Sequence, residues 1–493
     1  MKNNSVIKCI ATIIISVFFL AFIYDLSTED MRNPAYCFLV ICIAVSIIAF
    51  YDRLPKTPVL YTMLAGAFLR FTYVLYTPVW CRQHDVIDFG AGEGHAAYME
   101  YILTNRSLPD FDPRNVWAFF QPPLHHIISA VWMWFNIKAG IPEGRMHKNV
   151  QILPLMYMCI LMIMVLLICR QLNMRRGGTI VTMLIVSFHP IYILMSGSIN
   201  NDALSVLLSV VAVYMAILWY MYPTTGKIIL LALSIGLAMS AKLSSALVAP
   251  AIGAMMICKF WKDSAHCSDK AKTISYLLEF AAFAVVVIPT GLWWTVRNKV
   301  LYDMPAGYIP EVGEMVGKRG LVPTILDVRT ASPFLYMKSC GYAYDEYNLI
   351  LATIKSSLFG EGDFGGKSAM LTVTGWILLA FAVILLLLLI IAIVRVCMGH
   401  TGVDTAVKVL LCGTVVCYVA GYLMFALKGA NLSAMDYRYS AASVAVMAIF
   451  AGMWYDMLRK NEKRAAAYAV MAVSGAFAAA SFVFYTAVGI ILQ

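Results

Sequence analysis

The sequence predicts an all-α polytopic membrane protein, with about thirteen transmembrane helices and two large structured extracytoplasmic loops. Three observations carry this. The 493-residue chain is 61% hydrophobic and only 13% charged, with a mean hydropathy of +0.78, whereas soluble proteins carry about a quarter charged residues. Apolar runs near the roughly 20 residues that span a bilayer recur along its whole length. Lys and Arg fall on alternate connections between those runs, as the positive-inside rule requires. A soluble multidomain enzyme, a disordered scaffold and a secreted disulfide protein are all excluded by this pattern.

The runs lie at 5–24, 36–50, 59–77, 150–170, 177–196, 203–222, 228–241, 243–261, 274–296, 371–394, 406–428, 438–457 and 466–490. The first is too long for a signal-peptide core and lacks a small-residue cleavage site, so it reads as a signal anchor. With the N-terminus cytoplasmic, the inner side receives Arg53, Lys56, Arg170, Arg175, Arg176, Lys227, Lys259, Lys262, Lys270, Lys272, Arg395, Lys408, Arg459, Lys460, Lys463 and Arg464. The short outer loops 25–35, 197–202 and 429–437 hold Arg32 alone. Residues 122–136 resemble a further span, but counting them as one would move Arg170, Arg175 and Arg176 outside. They are therefore expected to form an amphipathic helix on the membrane surface, within an outer loop of residues 78–149. The net charge of +10 then needs no nucleic acid, because anionic inner-leaflet lipid suffices as partner. The twelve cysteines show no metal-ligand spacing; Cys81 and Cys340, in outer loops, are the one pair placed to form a disulfide.

Polar chemistry concentrates in the two long outer segments, 78–149 and 297–370, and loops much above about 15 residues are usually functional or disordered. Their density of Trp, Tyr, Phe and Pro argues against disorder. In the first, Asp85 follows its span closely, flanked by Arg82 and His84, where a carboxylate can meet a lipid-borne substrate. Asp88 and Glu93 are nearby, and His95, Tyr98 and Tyr101 continue at near-helical spacing. His125 and His126 follow a Pro-Pro turn. The second loop opens with Trp293 and Trp294, an aromatic pair suited to an interface, and later carries Glu361 and Asp363 in a glycine-rich turn. Ionisable residues at membrane depth are costly and point to function. Arg70, Lys242, Arg297 and Arg438 all fall toward the outer leaflet, where together they fit a lipid phosphate better than four independent snorkelling side chains. Asn200, Asn201 and Asp202 fill a very short outer loop, and Asp202 is also placed to cap the next helix.

The strings GHAAYMEYILTNRSLP, FFQPPLHH, SGSINNDALS, GLAMSAKLS, WWTVRNKVLYDMP and MDYRYSA occur in an order that resembles family-39-type members of the GT-C glycosyltransferases. That group includes protein O-mannosyltransferases and the lipid A aminoarabinose transferase. The resemblance covers residues 59–457 as a catalytic core, with residues 1–58 as two added N-terminal spans and 458–493 as a basic cytoplasmic loop and last span. It implies a polyprenyl-phosphate (undecaprenyl- or dolichyl-phosphate) sugar donor, a hydroxyl acceptor on a lipid, glycan or protein, an extracytoplasmic site and inversion at the anomeric carbon. A first-loop carboxylate would be the general base. The family's Asp-Glu pair is replaced here by Ala91 and Gly92, so Asp85, Asp88 and Glu93 are the candidates, with Asp85 favoured. Arg297, Lys242, Arg438 and Arg82 would hold the donor phosphate, and His95, Tyr98, His125, His126, Asn201 and Asp202 would line the cleft. The scheme requires no cofactor and leaves a divalent metal open. The protein would reside in a bacterial cell membrane, C-terminus outside. A polyprenyl-linked glycan flippase and a non-catalytic membrane scaffold are the competing readings.

Overall fold

The computed structural model describes residues 58–83, 86–265, 270–310, 321–326, 328, 332–334, 337–338, 343–344, 348–360, 364, 367–429 and 435–491. Among these, nine helices are long and apolar enough to cross a membrane, and a tenth span arises if one bent pair counts as a unit. The expected spans 5–24 and 36–50 lie outside the described residues. The other eleven predicted runs each coincide with helix, though Thr225–Ala241 is apolar but shorter than a full crossing. The protein is an integral membrane protein.

In chain order the helices are α1 (Pro58–Tyr76), α2 (Gly94–Asn105), α3 (Leu124–Lys138), α4 (Glu143–Asn149), α5 (Ile152–Gln171), α6 (Arg176–Phe188), α7 (Pro190–Gly197), α8 (Asp202–Met221) and α9 (Thr225–Ala241). Then follow α10 (Ala249–Ala265), α11 (Lys270–Tyr302), α12 (Leu321–Leu326), α13 (Leu349–Phe359), α14 (Ala369–Met398), α15 (Thr405–Gly429), α16 (Ala441–Lys460) and α17 (Arg464–Ile491). A two-residue antiparallel ribbon pairs Met337–Lys338 with Ala343–Tyr344. Helices α8 and α16 are the most enclosed, and α11 the least. The short α2 and α3 pack against each other and are not among the candidate spans, whereas α4 runs on into α5 as one candidate span, Glu143–Gln171. Helix α3 buries His125, His126, Ser129, Met133 and Asn136, and exposes Val131, Trp134, Phe135 and Ile137 on its opposite face. It is the amphipathic helix that the sequence predicts over 122–136.

Helix α6 ends where Pro190 denies the next turn a backbone donor, and α7 continues at an angle of 45°. The carbonyls freed at the break are taken by Arg70, fully buried, whose guanidinium donates to Val186 at 2.9 Å and to Ser187, as well as to Gly66 in its own helix at 2.9 Å. Arg70 therefore belongs to the bend and not to a phosphate site. A buried cation at a helix C-terminus also complements the helix dipole. At the other end of α6, Asp456 from α16 accepts from the backbone N–H groups of Arg175 (2.7 Å) and Gly178 (3.1 Å). Between these two fastenings, α6 and α16 touch backbone to backbone: a Cβ on Gly452 would run into the Gly178 carbonyl oxygen and the Thr182 hydroxyl. Gly475 in α17, by contrast, faces open space.

That contrast gives a controlled test. Gly452→Ala is expected to lower the melting temperature of the detergent-solubilised protein, at a cost of about 1–3 kcal/mol for overpacking a close contact. Gly475→Ala should be neutral or stabilising by up to about 1 kcal/mol, since Ala is the better helix former. Equal melting temperatures for the two variants would contradict the close α6–α16 approach.

Candidate active site

The site is built on three helix ends. Helix α9 stops at Ala241, whose carbonyl accepts from Asn201 Nδ2 at 2.7 Å, and Lys242 follows in extended backbone. Helix α8 begins at Asp202, and a short helical turn, Tyr437–Ser440, leads into α16. These ends place Lys242 Nζ on Asp202 Oδ1 and Arg438 Nη1 at 3.5 Å from Asp202 Oδ2. Arg438 Nε lies 3.6 Å from Asp436 Oδ2, and Asp436 Oδ1 accepts from the Arg438 backbone N–H at 2.9 Å. The Tyr439 ring lies against both cations: Lys242 Nζ is 4.7 Å and Arg438 Cζ 4.8 Å from its centroid, and Arg438 Nη2 donates to its hydroxyl at 2.8 Å. Lys242, Asp202, Arg438 and Asp436 are nearly enclosed, with side chains 12%, 5%, 8% and 8% exposed. Two cations thus face two carboxylates, which is how ionised groups persist away from water. Asp202 is not the helix cap the sequence allowed: Asn201 precedes α8 without a capping bond of its own, the Asp202 N–H is taken by Asn200 Oδ1 at 3.1 Å, and the Asp202 carboxylate is drawn to the cations.

Above this cluster lies a cavity of about 370 Å³, within the range of small-molecule sites. Asp202, Lys242, Arg438 and Tyr439 form part of its wall. His95, Trp117, Phe120 and Gln121 come from the 78–149 segment, and Met304, Tyr308 and Ile309 from the segment after α11. Leu243, Leu247, Gly421, Tyr422 and Phe425 make an apolar side. A smaller cavity of about 40 Å³, lined by Arg82, Gln83, Ser198 and Asn200, shares Asp202 and Arg438 with the first. Those two residues stand in the partition between the cavities.

The 78–149 segment is fastened to the bundle by hydrogen bonds. Gln83 Oε1 accepts from Ile199 N at 2.7 Å, and Lys148 Nζ donates to the Thr77 carbonyl at 2.7 Å. Trp294 donates to the Phe120 carbonyl at 3.1 Å, and Trp293 to Ser240 at 3.0 Å. The tryptophan pair expected to anchor in the membrane interface is instead a wedge under this segment, with Trp294 buried. His125 Nε2 donates to the Ile199 carbonyl at 2.8 Å. His95 Nδ1 and His126 Nε2 are 2.8 Å apart, and the His126 ring stacks on Tyr98, with centroids 4.3 Å apart. Burial pushes His125 down to about 4, and burial with two histidine neighbours holds His126 well below its ordinary value.

Of the sequence candidates, His95, Asp202, Lys242 and Arg438 meet in the larger cavity, Arg82 lines the smaller one, and Asn201, Tyr98, His125 and His126 support the walls. Arg297 lines neither: it donates to the Pro109 carbonyl and to Asn298 Oδ1 at 2.9 Å, with Trp294 4.8 Å from its Cζ. Asp88 and Glu93 are exposed and line neither cavity. Asp88 accepts from Phe89 N at 2.8 Å, and Glu93 precedes α2 without capping it. Asp85 and His84 lie outside the described residues, as do Glu361, Asp363 and the Cys340 of the Cys81 pairing. The convergence of Arg70, Lys242, Arg297 and Arg438 thus reduces to Lys242 and Arg438, because hydrogen-bond acceptors nearer at hand claim the other two. Asp436 and Tyr439 were missed, although both stand beside Arg438 in the MDYRYSA string.

The fold is a polytopic helical bundle with a charge-lined cavity beneath a folded segment. Residues 130–300 match the model of the dolichyl-phosphate-mannose-protein mannosyltransferase family, so over that region the resemblance to family-39-type GT-C glycosyltransferases is borne out. The matched region contains Asp202 and Lys242; His95 and Arg438 lie outside it. Among solved structures, the archaeal oligosaccharyltransferase AglB from Archaeoglobus fulgidus, in complex with an inhibitory peptide and a dolichol-phosphate, is similar with a TM-score of 0.48 and 12% identity over 87% of this chain. The present chain spans 56% of that protein. ArnT from Cupriavidus metallidurans bound to undecaprenyl phosphate is similar with a TM-score of 0.35 and 12% identity, over 82% of this chain and 79% of its own. No curated protein matches the chain significantly.

The depressed histidines make the folded loop sensitive to acid. Their neutral forms are favoured in the fold, so their contribution is complete above the ordinary histidine value of about 6.5 and is lost as pH falls toward 4. For His125 the loss by pH 4 is on the order of 3 kcal/mol. Hydrogen exchange in residues 94–138, corrected for intrinsic rates, is expected to accelerate between pH 7 and pH 4.5 relative to α16. Unchanged protection over that window would contradict neutral, buried imidazoles.

Proposed function

We propose that this protein is an integral-membrane glycosyltransferase that moves a sugar from a polyprenyl-phosphate donor to a hydroxyl acceptor on the extracytoplasmic side of a bacterial cell membrane. The observation that carries the proposal is the Lys242–Asp202–Arg438 cluster, nearly sealed from water yet forming one wall of a cavity of ligand size. The match of residues 130–300 to a mannosyltransferase family adds support.

The donor phosphodiester carries one negative charge, as a carboxylate does, and would take the place of Asp202 on Lys242 and Arg438. The acceptor oxygen then attacks the anomeric carbon from the face opposite the phosphate, and the C–O bond breaks with both electrons leaving on phosphate. Fixed cations in a site shielded from water stabilise that charge as it develops. The planar fork of Arg438 suits two phosphate oxygens, while Lys242 acts as a point charge. The apolar side at Leu247, Gly421 and Phe425 is suited to the first isoprene units. No cofactor enters the reaction as proposed. Arg297 keeps a lesser role, steadying the wall through Pro109.

Purified protein assayed with radiolabelled polyprenyl-phosphate sugars and a detergent extract of bacterial envelope is expected to release polyprenyl phosphate and label a component of the extract. Lys242→Ala and Arg438→Ala should each weaken binding of undecaprenyl phosphate by about ten- to a hundredfold, as loss of a charged hydrogen bond of about 1.5–3 kcal/mol implies. Arg297→Ala should change it less than threefold. Donor carried across vesicles without cleavage would favour the flippase reading, and unchanged affinity in both variants would remove the cluster from the donor site.

A further inference from the structure

In the proposed reaction the donor phosphate takes Lys242 and Arg438 from Asp202. A carboxylate that loses its cations inside a protein is strongly destabilised, so the displaced group needs a second partner. Asp202 stands in the partition and lines both cavities. Its Oδ2 accepts no hydrogen bond and meets Arg438 at 3.5 Å.

The smaller cavity has the size and the lining to receive that carboxylate. Its volume is about 40 Å³, against the roughly 10–15 Å³ that one water requires, and a carboxylate has three heavy atoms. Asn200, whose Oδ1 already holds the Asp202 backbone N–H at 3.1 Å, brings an amide NH2 group to this cavity, and Ser198 brings a hydroxyl. Arg82 brings the charge. Its guanidinium donates to Thr77 Oγ1 at 2.7 Å and lies against the rings of Tyr73 and Tyr76, 5.6 and 5.9 Å from their centroids. Among the described residues its Nε finds no acceptor and no carboxylate pairs with it.

The balance of charge points the same way. Leaving His95 aside, the described residues lining the two cavities include three cations, Arg82, Lys242 and Arg438, and two carboxylates, Asp202 and Asp436. One anion is wanting, and a phosphodiester supplies one. With phosphate on Lys242 and Arg438, and Asp436 still beside Arg438, pairing Asp202 with Arg82 leaves none of these charges unmatched.

We infer that donor binding turns the Asp202 carboxylate out of the larger cavity and into the smaller one, where Arg82 receives it. This rests on the donor site proposed above. The movement is a change of side-chain rotamer at the first residue of α8. Arg82 is then a positioning residue that favours the donor-bound state without touching the phosphate.

The test measures the affinity of the full-length, detergent-solubilised protein for undecaprenyl phosphate in a double-mutant cycle, which isolates the coupling between two side chains. Arg82→Gln removes the charge but keeps a polar side chain of similar reach. It is expected to weaken binding by about ten- to a hundredfold, as loss of a charge-assisted hydrogen bond implies. Asp202→Asn, which leaves no carboxylate to displace, should bind at least as tightly as wild type. In that background Arg82→Gln should change the affinity less than threefold. Ser198→Val fills the smaller cavity and leaves all five charges in place. The extended backbone at Ser198, with φ −90° and ψ 118°, suits a β-branched side chain, so the variant should fold and bind at least tenfold more weakly. It keeps the test decisive even where Asp202→Asn fails to fold. Wild-type affinity in Arg82→Gln or in Ser198→Val would overturn the inference. An equal loss from Arg82→Gln with and without the Asp202 carboxylate would overturn it too, by making Arg82 a direct phosphate ligand. Weaker binding in Asp202→Asn at an unchanged melting temperature would show that the carboxylate is not displaced. A wild-type protein that binds no undecaprenyl phosphate would fail the donor reading itself and this inference with it, a result distinct from the others.

Discussion

Charge placed inside an apolar bundle has to be neutralised, and the end of this molecule that carries the cavity is organised by how that is done at Asp202. The carboxylate faces Lys242 from the end of one helix and Arg438 from the start of another, so three chain reversals are fixed by one anion. Burying such a cluster brings little or no net stability, since the desolvation cost offsets most of the attraction. Under the proposed reaction the cations are held ready, and neutral overall, for an anion that arrives with the substrate. Asn201 is fastened to the end of α9 and Tyr439 lies against both cations, so in the proposed reaction both would keep the geometry from relaxing once Asp202 is displaced.

Arg70 shows the other solution to the same constraint. It is fully buried but is satisfied by hydrogen bonds to carbonyls beside the proline break. From the sequence the two kinds of cation look alike, because both appear as a lone basic residue in an apolar run. What separates them is the tertiary neighbour: a bent helix for Arg70, a carboxylate from another helix for Lys242 and Arg438. Arg297 follows the same logic, since one of its two acceptors, the Pro109 carbonyl, belongs to a loop more than a hundred residues away in sequence.

The helices themselves were legible because lipid enforces long apolar runs, and the positive-inside asymmetry correctly kept 122–136 out of the count of spans. The amphipathic face of α3 was readable for the same reason. The site was only half legible. Lys242, Asp202, Arg438 and His95 were singled out, but Asp202 was given a local capping role, since a sequence shows the helix that follows and not the cations across the bundle. Asp436 and Tyr439 were overlooked because a short Asp or Tyr beside an arginine carries no periodic signal. The Trp293–Trp294 pair was misplaced because its partners, Phe120 and Ser240, come from distant segments.

The larger cavity draws its cations from the ends of rigid helices and much of the rest of its wall from two long connecting segments. Under the proposed reaction, this separates what stays constant from what can vary. The lipid phosphate is met by residues whose movement would disturb the bundle, whereas Gln121, Tyr308 and Ile309 stand on chain that can change length and sequence at small cost. A descendant of this protein could acquire a different acceptor by altering those segments while the same lipid carrier continued to deliver the sugar.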